Sequence, residues 1–297
     1  MRTQIKDNKG TGESPSIHAR EAWDRLYARL HDEQLIPAQD DRVKVYPIFN
    51  GLRMAAAVIL MLAGAVLVYL LLDRKPEAPL LSLGTGPEPG TLVRTLEDGS
   101  VVYLAQNSVF SFPGKFSAAS RKVGLKGEAF FDIAADPVKP FIIETGEARV
   151  QVLGTAFGVK ARQGVGFGIS VERGKVRVNL NSDPGHPQMI MAGELVSLSG
   201  NSLLRSEYDT VPGSRWYLKC IRFKDEKLAD IISVLNRNFS INFVLADRST
   251  GQRRLTVAFR EETPGSMRDL LCMALNLKSQ TINGSIVLSE IRGGSKP

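Results

Sequence analysis

Phe141–Leu153, FIIETGEARVQVL, and Ile169–Leu180, ISVERGKVRVNL, each hold two β-rich runs that meet at a glycine, Gly146 in the first and Gly174 in the second. Apolar residues at every second position put one face of each run into a core, and a glycine between two such runs predicts a hairpin. Upstream, Val101 with Tyr103 and Val102 with Leu104 alternate behind an Asp98-Gly99 turn. Gly127 and Gly154 are expected where turns begin or end strands, and Phe130, Phe131, Phe141 and Phe157 are large enough to fill a sandwich core. No amphipathic helical period interrupts residues 91 to 208. Residues 91–210 are therefore expected to form an all-β antiparallel, sandwich-like domain, and the chain as a whole to be mainly β.

Toward the C-terminus the period changes. Ile221 and Phe223 close a strand, Leu228, Ile231, Ile232, Leu235 and Phe239 make a helical stripe, and Ile241, Phe243 and Leu245 alternate again. A second round follows, with a strand from Leu255 to Phe259, a helix capped by Thr263 with Pro264 at its first position, and a hairpin turning at Asn283-Gly284. Residues 214–292 thus predict a small α+β domain with a doubled β-α-β pattern, two helices on one face of one small sheet.

Before the β region, Met54–Leu72 is a run of 19 residues without a charge, between Arg53 and Asp73. As a helix it would be about 28 Å long, close to the roughly 30 Å of a bilayer's hydrocarbon core. A transmembrane helix is expected there. Arg42, Lys44 and Arg53 precede it while Arg74 and Lys75 follow, a weak vote for an N-terminus in the cytoplasm. Residues 1–53 form a short tail in which Ser14 and Pro15 can start a helix that Pro37 stops, with Trp23, Leu26, Tyr27 and Leu30 on one face. That face suits either a bilayer surface or second copy, or a cytoplasmic partner. Residues 73–90, rich in Pro and Gly, read as a linker.

Catalytic chemistry finds little material. The chain has 2 Cys and 3 His, none at zinc-ligand spacing, and a bridge between Cys220 and Cys272 is not expected. Gly168–Lys175, GISVERGK, has one residue too many for a phosphate loop and Val176 where a hydroxyl is needed. Glu128 and Asp132 share one strand face, where structural hydrogen bonding is the expectation. No nucleophile elbow or general-base histidine stands out, so neither catalytic residues, a metal site nor a cofactor is expected. A net charge of +7, with basic residues spread along the chain, gives no nucleic-acid groove.

The runs Thr95–Phe116 (TLEDGSVVYLAQNSVFSFPGKF), Arg121–Thr145 (RKVGLKGEAFFDIAADPVKPFIIET) and Val150–Ala161 (VQVLGTAFGVKA) closely resemble, in order, the periplasmic domain of FecR-like transmembrane anti-sigma factors. VERGKVRV at Val171–Val178 and MAGELVSL at Met191–Leu198 are similar to that family too, and residues 214–290 resemble its C-terminal domain. The resemblance implies a single-pass inner-membrane protein that couples a TonB-dependent outer-membrane transporter to an extracytoplasmic-function sigma factor. It would touch the transporter's N-terminal signalling domain in the periplasm and the sigma factor in the cytoplasm. Relatives carry a longer, multi-helix tail, so sigma contact here would fall on Trp23, Leu26, Tyr27 and Leu30. Gly158 stands where relatives commonly have Asn, with a local turn change expected. The alternative is an envelope adaptor or tether that does not regulate a sigma factor.

Overall fold

The computed structural model describes residues 17–33, 48–72, 79–162, 164, 166–207 and 215–291. The chain divides into two units, Met1–Lys75 and Pro76–Pro297. In the first, α1 spans Ile17–Asp32 and α2 spans Ile48–Leu72. Ser14, Pro15 and Pro37, read as the ends of α1, lie outside the described residues. α2 is 25 residues long and its backbone covers the whole apolar run. Its described side chains are those of Met54–Val68, and among the described residues no helix is long and apolar enough to cross a membrane.

The second unit is mainly β. Its first strands are β1 (Leu80–Gly84), β2 (Thr91–Thr95), β3 (Val101–Leu104), β4 (Val109–Pro113), β5 (Arg121–Asp132), β6 (Phe141–Glu144) and β7 (Ala148–Val152). β8 (Ala156–Arg162), β9 (Gly166–Arg173), β10 (Lys175–Leu180), β11 (Asp183–Met191), β12 (Glu194–Ser199) and β13 (Ser202–Glu207) follow. Beyond them lie β14 (Cys220–Lys227), α3 (Leu228–Phe239), β15 (Phe243–Leu245), α4 (Arg248–Gln252), β16 (Arg254–Arg260), α5 (Pro264–Leu275), β17 (Leu277–Ile282) and β18 (Ser285–Glu290).

Two layers of strands enclose the first core. One layer runs β1, β4, β5, β6, β7, β10, β11; the other joins β2, β3, β5, β8, β9, β12 and β13. β5 belongs to both, because its first half pairs with β4 and β6 and its second half with β3 and β8. The bend is at Gly127, with φ +109°, where a Cβ would stand 2.6 Å from Ser108 Cβ. Gly127 is thus a mid-strand corner and not the strand end expected of it. Val102, Leu104, Phe131, Phe141 and Phe157 meet between the layers, each at 0% exposure. Burying each such side chain contributes about 1.5–3 kcal/mol.

Several expectations are corrected here. The Gly146 run is a hairpin, β6 against β7, but the Gly174 run is not: β9 pairs with β8 and β12, whereas β10 pairs with β7 and β11. The chain passes from one layer to the other at Gly174, φ +88°, with Thr155 Oγ1 and the Gly154 carbonyl crowding the Cβ position. Alternation is identical on both sides of a hairpin and of a crossover, so periodicity cannot separate them. The pairing is not wholly antiparallel either, since β5 and β6 run parallel. Gly158 lies inside β8 opposite Phe130 and Ser170, with no turn. The second half of the expected linker is built into the layers: β1 pairs with β4, and the Thr85 hydroxyl donates to the Ala105 carbonyl at 2.5 Å.

The C-terminal stretch also departs from one small sheet. β14 pairs antiparallel with β16 and parallel with β2, extending the larger sheet, while β15, β18 and β17 form a separate three-stranded sheet. A two-stranded β14/β16 ribbon would be marginal alone, and the free edge of β2 completes it. α3 and α5 bury Ile231, Leu235, Met267 and Leu271 in one cluster with Val93, Val101, Tyr103 and Phe130 of the β region.

Candidate interaction surfaces

α1 places Trp23, Leu26, Tyr27 and Leu30 along one face. Trp23 is 63% exposed, Leu26 47% and Tyr27 64%, while Leu30 is half-buried. Their spacing at i, i+3, i+4 and i+7 stacks them over two turns, and such a stripe recognises an apolar groove or surface. It carries no chemistry of its own.

The second surface is the joint between the β layers and the α+β part. Adjacent residues of a strand face opposite ways, so Phe131 enters the first core while Phe130 joins the second. This corrects the expectation that all four phenylalanines fill one core. Tyr217, in the 3₁₀ turn Trp216–Leu218, lies flat on Phe130, with centroids 3.9 Å apart and planes 7° apart. Tyr103 leans on Tyr217 at 5.0 Å and accepts a hydrogen bond from Asn238 Nδ2 at 2.8 Å. Around this stack Asp132 accepts from Arg173 at 2.9 Å and from Arg237 of α3 at 2.7 Å, one partner from each side of the joint. The Tyr217 hydroxyl donates to Glu172 at 3.3 Å. Farther along the seam, Arg94 of β2 donates to the buried Glu226 of β14 at 2.8 Å.

Burial governs the electrostatics. Loss of solvent pushes the Tyr103 hydroxyl up to about 12 and the Tyr217 hydroxyl further, so both stay neutral donors or acceptors. Partial burial raises the Glu172 carboxyl, and burial raises Glu226 against the opposing pull of Arg94. The Cys272 thiol is also pushed up by burial, and Cys220 and Cys272 are unpaired. Among the described residues no group of three or more His, Cys, Asp or Glu comes together as a metal would require.

Of the expected structural pair, Asp132 carries the two-sided ion pair, while Glu128 contributes its backbone to the Ser108 hydroxyl and to the Ala105 amide. Sequence reasoning missed Tyr217, Arg237, Asn238 and Arg121. Arg121, 1% exposed, donates to Asp98 at 2.7 Å and to the Ala134 and Lys139 carbonyls, pinning the Asp98-Gly99 turn from inside. One signal was available. Val101–Leu104 and Ala129–Phe131 are unbroken apolar runs, the pattern of strands buried on both faces, which calls for a second layer outside the first.

Residues 87–177 match the family described as FecR protein. The matched part of the β region is similar to a FecR domain. That match begins just before β2 and closes within β10, so the matched stretch holds Tyr103, Phe130, Asp132 and Arg173, and Tyr217, Arg237 and Asn238 meet it from outside. Among solved structures, two crystal structures of a "putative anti-sigma factor" from Parabacteroides distasonis ATCC 8503 are similar to the chain. Each is 25% identical over 71% of this chain and 99% of that one, with TM-scores of 0.44 and 0.43. No curated protein matches the chain.

Proposed function

We propose that the chain is a transmembrane anti-sigma factor, a signal transducer that links an envelope event to transcription. The observation that carries this reading is the FecR domain at residues 87–177 on a chain whose other unit offers an exposed aromatic helix face. In this reading α2 is the span, supported by 19 uncharged residues within one unbroken helix, with the N-terminus cytoplasmic and the FecR domain periplasmic. Trp23, Leu26, Tyr27 and Leu30 hold an extracytoplasmic-function sigma factor, and the periplasmic part meets the N-terminal signalling domain of a TonB-dependent transporter. The role is regulatory and not enzymatic.

The signal travels as a change in binding, so the coupling must pass between the joint and α1 as differential affinity of two states. Pull-down of the detergent-solubilised chain should recover a sigma factor, and repeated capture without one would count against the proposal. A second reading is an envelope adaptor that tethers a transporter without regulating a sigma factor. Deleting residues 1–50 separates the two, because an adaptor keeps its tethering function and a regulator loses its transcriptional output.

A further inference from the structure

Among the described residues, the outward positions of the layer β1–β4–β5–β6–β7–β10–β11 are largely exposed and carry a one-sided charge. Lys122, Lys126, Arg149, Lys175 and Arg177 all lie there, exposed. The register puts them on one surface: Lys122 stands opposite Ile142, Ile142 opposite Gln151, Gln151 opposite Arg177, and Arg177 opposite Met189. Residues directly across a ladder share a face. Glu144 is the acidic side chain among these strand positions on β1 to β10, and Arg149 takes it at 3.2 Å.

Apolar side chains are interleaved with the charges. Leu80 is 67% exposed, Val109 40%, Met189 38% and Met191 51%. Beside the two methionines is a depression of about 620 Å³ lined by Gln151, Leu153, Lys175, Arg177, Met189 and Met191. Long basic side chains that hold their charge at the tips, set among methionine and leucine, match the layered chemistry of a phospholipid headgroup region.

The chain itself supplies the occupant. β1, the outermost strand of this layer, starts at Leu80, eight residues after α2 ends at Leu72, and the intervening segment includes Arg74 and Lys75. At about 3.5 Å per residue the two points are at most roughly 28 Å apart. We propose that this face of the FecR domain lies against an anionic lipid surface, the outer leaflet of the membrane that α2 crosses. The inference rests on the proposed span. Phosphate groups pair with Lys122, Lys126, Lys175 and Arg177, and Leu80, Met189 and Met191 reach toward the acyl boundary. A second copy is disfavoured because two such faces repel each other.

The test uses the full chain with Cys220→Ser and Cys272→Ser, reconstituted into lipid nanodiscs and labelled with a fluorophore at Ser82→Cys on the outer side of β1 or at Thr281→Cys on β17. The probe is a lipid carrying a quencher at its headgroup. In phosphatidylglycerol discs, quenching at position 82 is expected to exceed that at position 281 by roughly threefold or more, the scale set by several basic residues at a charged surface. High salt, phosphatidylcholine discs, or Lys122→Glu with Lys126→Glu and Arg177→Glu should each bring the two positions level. Equal quenching at both positions in anionic discs would overturn the proposal, as would retention of the chain on isolated cell-wall murein with no quenching. A chain that stays out of the discs refutes the span alone, and the same ratio read on added anionic vesicles then decides the face.

Discussion

Tyr217→Ala removes the ring that ties the FecR-like β layers to the α+β part. The side chain is 4% exposed, lies flat on Phe130, and meets Tyr103 and Trp216 at 5.0 and 5.9 Å. Truncating a buried aromatic to alanine costs about 3–5 kcal/mol, of which each ring pair contributes about 0.5–1.5 kcal/mol. For a unit of this size every kcal/mol lowers Tm by about 2–4 °C, so a loss near 4 kcal/mol shifts Tm by roughly 8–16 °C. Urea unfolding of a fragment starting at Pro76, the boundary of the second unit, followed by tryptophan fluorescence and by far-ultraviolet dichroism, measures it. The two signals should move together, because β14 is hydrogen-bonded into the same sheet as β2 and the second core draws on both parts. A double-mutant cycle with Phe130→Ala should return a coupling of about 1 kcal/mol. A loss below about 1 kcal/mol, or one that splits unfolding into two transitions with the β-layer signal unmoved, would refute the shared core.

The remaining predictions concern single residues. Trp23→Ala with Leu26→Ala should weaken sigma-factor capture by the solubilised chain while insertion of α2 into membranes is unchanged; equal capture would remove the α1 face from the mechanism. Glu172 has a folded-state pKa raised by burial, so its folded form keeps a proton that the unfolded chain releases at lower pH, and the stability it supports falls as pH rises from about 4.5 through the raised value. Glu172→Gln should flatten that part of the Tm-against-pH curve, and an unaltered slope would assign it elsewhere. Gly127→Ala imposes a Cβ at φ +109° against Ser108 and should cost at least about 2 kcal/mol, whereas the exposed Gly99→Ala should cost about 1 kcal/mol or less; chemical denaturation of both distinguishes crowding from φ strain.

Local signals in the sequence were read correctly where the decision is local. The Thr263 side chain accepts from the Ser266 amide at 3.2 Å with Pro264 beginning α5, and Asn283 and Gly284 take φ +49° and +77° in the tight turn between β17 and β18. What was not legible depends on partners far away in the chain. Whether Gly174 turns a strand back or hands it to another layer is settled by the edges of β7 and β8, which lie well upstream in the chain. Phe130 and Phe131 are equivalent as letters, and the packing of Tyr217 and the α+β part against Phe130 gives it a core apart from that of Phe131. Cys220–Lys227 reads as a strand in a small sheet, but no periodicity in it announces the parallel pairing with Thr91–Val93. At the candidate site the helix face at Trp23 to Leu30 was visible because it needs one helix, whereas Asp132, Arg173 and Arg237 converge from three elements.

The seam between β2 and β14, Thr91 to Val93 against Ile221 to Phe223, makes the molecule a lever with a short arm. A partner that tugs on the α+β part loads this ladder in shear, and the first covalent neighbours to feel the strain are residues 85–90 and then β1. β3 and β5 take part of the same load, because β2 pairs with β3 and Tyr103 and Phe130 pack in the second core. Load applied at this ladder therefore reaches residues 85–90 and β1 through the chain itself.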